Sequence, residues 1–153
     1  MKKWLIFIIC LVVVFAAGVI GSFANSGTTS SEWYEMNKPG ITPPGFVFPI
    51  VWNILYFLIA LSLYFAWTGA RKKEKKKVAW VFGINLVLNA LWSVLFFGFR
   101  KPGWAFVDLV LLWVSIWFMI FISGRIDKKA SWLLVPYLLW VSFAGVLNWL
   151  FWF

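Results

Sequence analysis

Five stretches of 20 to 24 mostly apolar residues, Trp4 to Phe23, Phe46 to Gly69, Val78 to Phe99, Trp104 to Ser123 and Ala130 to Phe153, make up most of this chain. At about 1.5 Å of rise per helical residue, each reaches the roughly 30 Å of a bilayer's hydrocarbon core. Charged or Pro/Gly punctuation separates them, as in Arg71 to Lys77 and Arg100-Lys101-Pro102-Gly103. Backbone in hydrocarbon must satisfy its hydrogen bonds internally, which leaves helices or a closed barrel, and the alternating segments of a barrel are missing. With 63% hydrophobic and 12% charged residues among 153, too little polar surface is left for a water-soluble domain. The expected fold is an all-α integral membrane protein, a single five-helix transmembrane bundle over residues 1–153 with a long first loop, 25–44, acting as a lid.

The first run has a rival reading as a secretory signal, with Lys2 and Lys3 ahead of it and Ser22-Phe23-Ala24 as a cleavage site. It is longer than a signal's apolar core, and Ala17-x-x-x-Gly21 offers a close-packing face to another helix. A retained span is therefore expected.

The formal net charge of +9 would suit nucleic acid only on a solvated basic face. Here the cations sit between apolar runs, and no nucleic acid partner is expected. Alternate connections hold Lys2, Lys3, Arg71, Lys72, Lys73, Lys75, Lys76, Lys77, Arg125, Lys128 and Lys129 on one side, against Lys38, Arg100 and Lys101 on the other. The positive-inside rule then places the N-terminus in the cytoplasm, and the first loop and C-terminus outside a cell membrane. The Lys-rich run reads as a topology anchor before a site for anionic lipid. Histidine is absent and Cys10 is the single cysteine, so no intrachain disulfide, metal site or resident cofactor is expected.

The connection Asn25 to Pro44 is the longest, and its Trp33, Tyr34 and Met36 fit either a functional loop or anchoring at the membrane interface. It runs through Lys38-Pro39-Gly40-Ile41-Thr42-Pro43-Pro44-Gly45 into a helix carrying Trp52, Asn53 and Tyr56 near its start. Helical rise puts Trp52 and Asn53 about 9–10 Å below the outer end of their helix, Asp108 about 6 Å and Asn148 about 7–8 Å below theirs, and Asn89 and Trp140 near mid-bilayer. Trp4, Trp67, Trp80, Trp104, Trp132 and Trp152 lie near helix ends and read as interfacial belts. Trp52, Trp92 and Trp140 are deeper, where an indole N–H needs a partner. Asn85, Asn89 and Trp92 share one helical face, as do Trp140, Ala144 and Asn148. Hydrogen bonding between helices accounts for the asparagines without any ligand. The helix dipole, or pairing with Arg100 or Lys101, accounts equally for Asp108. Together these residues outline a pocket in the outer half, beneath the first loop.

The motifs Lys38-Pro39-x-x-x-Pro43-Pro44, Val51-Trp52-x-x-Leu55-Tyr56, Leu88-Asn89-Ala90-Leu91-Trp92-Ser93-x-x-Phe96-Phe97-Gly98 and Pro136-Tyr137-Leu138-x-Trp140-Val141-x-Phe143-Ala144-x-x-Leu147-Asn148 extend over nearly the whole chain. In this they resemble the tryptophan-rich sensory protein or translocator protein family, also called peripheral benzodiazepine receptors. The resemblance implies a five-helix bundle, commonly a homodimer, that binds protoporphyrin and related tetrapyrroles, and isoquinoline carboxamide and benzodiazepine-type ligands, in a cavity capped by the first loop. It also implies porphyrin-linked stress sensing or transport, and for some members light- and oxygen-dependent porphyrin degradation. By position Trp52 and Trp140 match the pocket tryptophans linked to that photochemistry. The expected ligand-binding set is Trp33, Pro43, Pro44, Phe46, Trp52, Asn53, Tyr56, Asn89, Trp92, Asp108, Trp140, Ala144, Leu147 and Asn148.

Two departures stand out. Phe46 occupies the place where the family's proline motif is usually followed by Trp, and no basic residue follows Tyr137, so the animal members' sterol motif is missing.

Three functional classes follow from these residues. A receptor or sensor would hold a flat macrocycle between Trp faces. A transporter would need a second, inner opening, for which no polar path or broken helix pair is written. An enzyme of the ordinary kind would need a nucleophile or acid-base pair that this chain lacks, which leaves photo-oxidation of a bound porphyrin.

Overall fold

The computed structural model describes all residues, 1–153. Its elements are α1 (Lys3–Asn25), α2 (Glu32–Asn37), α3 (Val47–Gly69), α4 (Lys72–Ser93), a π-helical turn (Val94–Gly98), α5 (Pro102–Gly124), α6 (Lys128–Trp132) and α7 (Val135–Trp152). Five helical segments are long and apolar enough to cross a membrane: α1, α3, α4 with its π turn, α5, and α6 with α7.

Three boundaries differ from the sequence expectation, each for a local reason. The third span starts at Lys72 instead of Val78, because lysine is a good helix former and Glu74 caps the start. Its carboxylate accepts from the Arg71 backbone N–H at 2.8 Å and from the Arg71 guanidinium at 2.7 Å. The last run is not continuous, since α6 ends at Trp132 and α7 begins at Val135. Pro136 has no N–H for the Trp132 carbonyl, and its ring crowds that same carbonyl four residues back. The first loop carries a short helix of its own, α2, whose N-cap Ser31 accepts from Tyr34 N at 3.3 Å.

The chain alternates direction, so two ends can be distinguished: a lysine end, holding Lys3, Gly69, Lys72, Gly124 and Lys128, and a loop end, holding Asn25, Val47, Gly98, Pro102 and Trp152. Around the bundle α3 packs on α1, α1 on α4, α4 on α5 and α5 on α7, while α3 meets the fifth span mainly through α6. At that seam the Ser62 hydroxyl donates to the Ala130 carbonyl at 2.7 Å.

The two halves are packed differently. Val14, Ile59, Ala60, Ala66, Val78, Phe82, Ile116, Met119, Ala130 and Leu134 are fully or almost fully buried, and all belong to the lysine half. Interiors of this kind are close-packed and leave no room for a ligand. Toward the loop end α3 and α7 lie apart, bridged by an edge contact of Phe48 and Trp140 with ring centres 5.9 Å apart. The outer faces of the spans are apolar and exposed, as at Ile8, Val12, Val87, Leu111 and Phe118, as a lipid-facing surface requires.

Candidate functional site

The hollow loop half contains a cavity of about 600 Å³, within the size range of small-molecule sites. Its walls come from α1, the first loop, α3, α4 with the π turn, α5 and α7.

The floor is a chain of hydrogen bonds that crosses the bundle. Tyr56 Oη donates to Asn89 Oδ1 at 3.1 Å, Asn89 Nδ2 to Tyr137 Oη at 2.9 Å, and Tyr137 Oη to Asn85 Oδ1 at 3.1 Å. Asn85 Nδ2 then donates to Ser115 Oγ at 2.9 Å, and that hydroxyl to the Leu112 carbonyl at 2.6 Å. Each member hands a donor to the next, so the network is satisfied where an unpaired group would cost about 1–3 kcal/mol. It fixes the Tyr56 ring, and on that ring Trp52 lies nearly parallel, 5.5 Å away at 29°. Tyr137 meets Trp52 edge-on at 6.3 Å and 73°.

A second anchor holds the opposite wall. Trp92 Nε1 donates to Asn148 Oδ1 at 2.9 Å, and Asn148 Nδ2 donates to the Pro102 carbonyl at 2.9 Å. Trp92 stacks on Phe96 at 5.2 Å and 23°. The π turn bonds Phe99 N to the Val94 carbonyl at 2.8 Å, and its wider pitch brings both Phe96 and Phe97 to the lining. Trp140 completes the aromatic wall, and its indole N–H is buried without a partner. Near the loop, Asn25 and Thr42 also line the cavity, and Asn25 Oδ1 and Thr42 Oγ1 are likewise unpaired. The cavity therefore presents flat apolar faces, while these three unpaired polar atoms of its lining residues are covered in the wall.

Helix α1 admits the ring stack by being small where it crosses it. A Cβ at Gly18 would stand 2.5 Å from Tyr56 Cε2, and one at Gly21 would stand 3.3 Å from Ser93 Oγ.

The first loop docks through α2. Trp33 packs on Phe151 and Phe96 with centroids 5.0 and 6.0 Å away, Tyr34 lies 29° off the Phe151 plane at 5.9 Å, and the Arg100 guanidinium sits over Trp33 at 5.4 Å. Tyr34, Glu35, Lys38, Pro39, Thr42, Pro43 and Gly45 reach the cavity. Lys38 Nζ pairs with Glu35 Oε2 at 2.8 Å, a hydrogen bond that raises the lysine pKa above its ordinary value. Burial pushes the Tyr34 hydroxyl up as well.

Of the residues expected from sequence, Pro43, Trp52, Asn53, Tyr56, Asn89, Trp92, Trp140, Ala144, Leu147 and Asn148 line the cavity. Trp33 stands behind the lining, in the aromatic cluster. Pro44 and Phe46 are exposed, with Phe46 turned out of the helix start at 67% exposure. Asp108 is buried outside the lining with neither carboxylate oxygen bonded. It forms no pair with Arg100 or Lys101, which are exposed in the turn before α5 while Asp108 lies more than a helical turn inside. Sequence reasoning did not place Phe15, Gly18, Gly21 and Ser22 on α1, Phe48 on α3, or Phe96, Phe97 and Phe151 in the lining; Gly21 was read only as a helix-packing position, Ser22 only in a cleavage site, and Phe96 and Phe97 only within a motif. The α1 set recurs at helical spacing of three and four, but its small and apolar side chains look like any other span.

Comparison with known proteins places this architecture. The profile of the TspO/MBR family matches residues 9–153. The tryptophan-rich protein TspO of Chlorobaculum tepidum is 39% identical over 148 residues, covering 96% of this chain and 94% of that protein. The tryptophan-rich sensory protein of Cereibacter sphaeroides is 30% identical over 95% of this chain and 88% of its own length. The Bos taurus translocator protein is 34% identical over 87% of this chain and 82% of its own length. A five-span bundle, a Trp-walled cavity and a match along almost the entire chain lead to one assignment: this is a multi-pass membrane protein of the TspO/MBR family.

Proposed function

We propose that the chain is a membrane receptor for porphyrins, with protoporphyrin IX as the reference ligand, and that benzodiazepine and isoquinoline-type compounds use the same cavity. The observation that carries this reading is the set of indole and phenol faces of Trp52, Tyr56, Trp92 and Trp140 around one space of about 600 Å³. A flat conjugated ring gains offset stacking and apolar burial against such faces.

In this reading the first loop is a lid, held by α2 on the Phe96/Phe151 cluster and opening to admit ligand. The charge bias of the connections puts that lid and the C-terminus outside the cytoplasm. Passage straight through the bundle is disfavoured by the packed lysine half, where Ile59, Val78, Ile116 and Met119 are fully buried. Two copies pair in this reading, and the surface at Gly83, which has open space above it, is a candidate contact. The test is titration of protoporphyrin in the dark against Trp fluorescence. Saturable quenching is expected, and quenching no different from that of tryptophan in empty micelles would remove the proposal.

A further inference from the structure

We infer that the groove between the start of α5 and the end of α7 binds the phosphate headgroup of an anionic lipid in the leaflet at the loop end. The groove has a volume of about 410 Å³ and is walled by Arg100, Lys101, Pro102, Gly103, Trp104, Val107 and Trp152. None of these lines the main cavity.

The chemistry of the groove is ordered along the membrane normal. Both cations stand in the turn ahead of Pro102, where α5 begins. Val107 lies about 7–8 Å deeper by helical rise and is 50% exposed. Trp104 and Trp152 flank the passage between them, and both are exposed. A lipid has the same order, an anionic head followed by glycerol and acyl chain, and Trp rings favour the depth between the two. A soluble anion would use only the cationic end and leave the apolar end empty.

Four further observations bear on the cations themselves. The chain places eleven of its basic residues at the lysine end and only Lys38, Arg100 and Lys101 at the other, so two adjacent cations here work against the charge bias that orients the protein. Neither is neutralised, because the two ion pairs in the structure are Lys38 with Glu35 and Arg71 with Glu74. The Arg100 backbone has φ of +53°, the one non-glycine residue in the left-handed region, which most side chains avoid. Its guanidinium lies over the Trp33 ring at 5.4 Å. A guanidinium stacked by its face keeps its in-plane N–H donors, which match two phosphate oxygens. On the other wall, the Trp152 ring lies so close to Gly103 that a Cβ there would come within 3.0 Å of it.

The test is native mass spectrometry of the full chain in detergent, given phosphatidylglycerol and phosphatidylcholine in equal amounts. The eleven basic residues of the lysine end are kept in every variant, so their share of anionic-lipid retention is common to all and the groove is read from the difference made at Arg100 and Lys101. Arg100 and Lys101 together should contribute about a twenty-five-fold preference for the anionic lipid over the zwitterionic one, from roughly fivefold for each cation. Arg100→Gln with Lys101→Gln should lower the preference by that factor, while Arg100→Lys with Lys101→Arg should keep it. Gly103→Leu keeps both charges but displaces the Trp152 wall, and should also lower retention. Millimolar inorganic phosphate should displace no lipid. Parity before any change at Arg100 and Lys101, a preference left unchanged by their neutralisation, unchanged retention in Gly103→Leu, or displacement by phosphate alone would each overturn the lipid site. None of these outcomes depends on porphyrin binding in the main cavity.

Discussion

Gly18→Ala adds a single methyl group where α1 crosses the Tyr56 ring, and its consequences can be worked through from the geometry. The new Cβ would lie 2.5, 2.9 and 3.0 Å from Tyr56 Cε2, Cζ and Cδ2. Ordinary contact requires the ring to withdraw by roughly 1 Å, and an overpacked site of this kind costs about 1–3 kcal/mol. The same movement breaks the 3.1 Å bond from Tyr56 Oη to Asn89, worth about 1 kcal/mol. The sum, near 3 kcal/mol, corresponds to a fall in Tm of about 6–12 °C for a chain of this size. Ligand affinity should fall about tenfold, because the Tyr56 face and the Trp52 ring stacked on it leave their positions together. The assay is thermal unfolding in detergent, alongside dark porphyrin titration, for Gly18→Ala, Tyr56→Phe and the pair. Tyr56→Phe removes the hydrogen bond but keeps the ring. The double variant should therefore lose about 1 kcal/mol less than the two singles added together. Strict additivity, or a Gly18→Ala chain as stable and as tight-binding as the parent, would refute the reasoning.

Two more expectations follow from the site and the charge pattern. Illumination in oxygen should consume bound protoporphyrin, and Trp52→Phe or Trp140→Phe should slow this loss more than either weakens dark binding; equal loss with and without protein would end the photochemical reading. With Cys10 replaced, a thiol label at Ser30→Cys should react from outside intact cells and one at Lys75→Cys should not, and the reverse pattern would invert the orientation.

The spans were legible because their signal is length and hydropathy, which do not depend on how helices face one another. The deep polar set was legible for a related reason: Asn89, Trp92, Trp140 and Asn148 are conspicuous in an apolar run, and a buried polar group must be bonded or put to use. The structure shows both outcomes at once, since Asn89 and Asn148 bond across helices and also line the cavity. What α1 contributes was not legible. Phe15, Gly18 and Ser22 acquire meaning only from the rotation of α1 against α3 and α4, and nothing in their chemistry fixes that rotation. Tyr137 belonged to a quoted motif, yet its place as the hub between Asn85 and Asn89 depends on the fifth span being broken beneath it at Pro136. Trp33 was placed one shell too far in, because adjacent aromatics on a short helix point to different sides: Tyr34 takes the cavity side and Trp33 the Arg100 side.

The central claim, that a flat aromatic ligand occupies the hollow loop half, is tested most directly by comparing dark protoporphyrin titrations of the unmodified chain and Ala144→Trp. Ala144 contributes a methyl-sized patch of wall, and an indole there would fill the space that the ligand needs. Saturation at one porphyrin per chain without the substitution, and loss of saturable binding with it, is the expected result. Equal saturable binding by both chains would place the ligand somewhere other than this cavity.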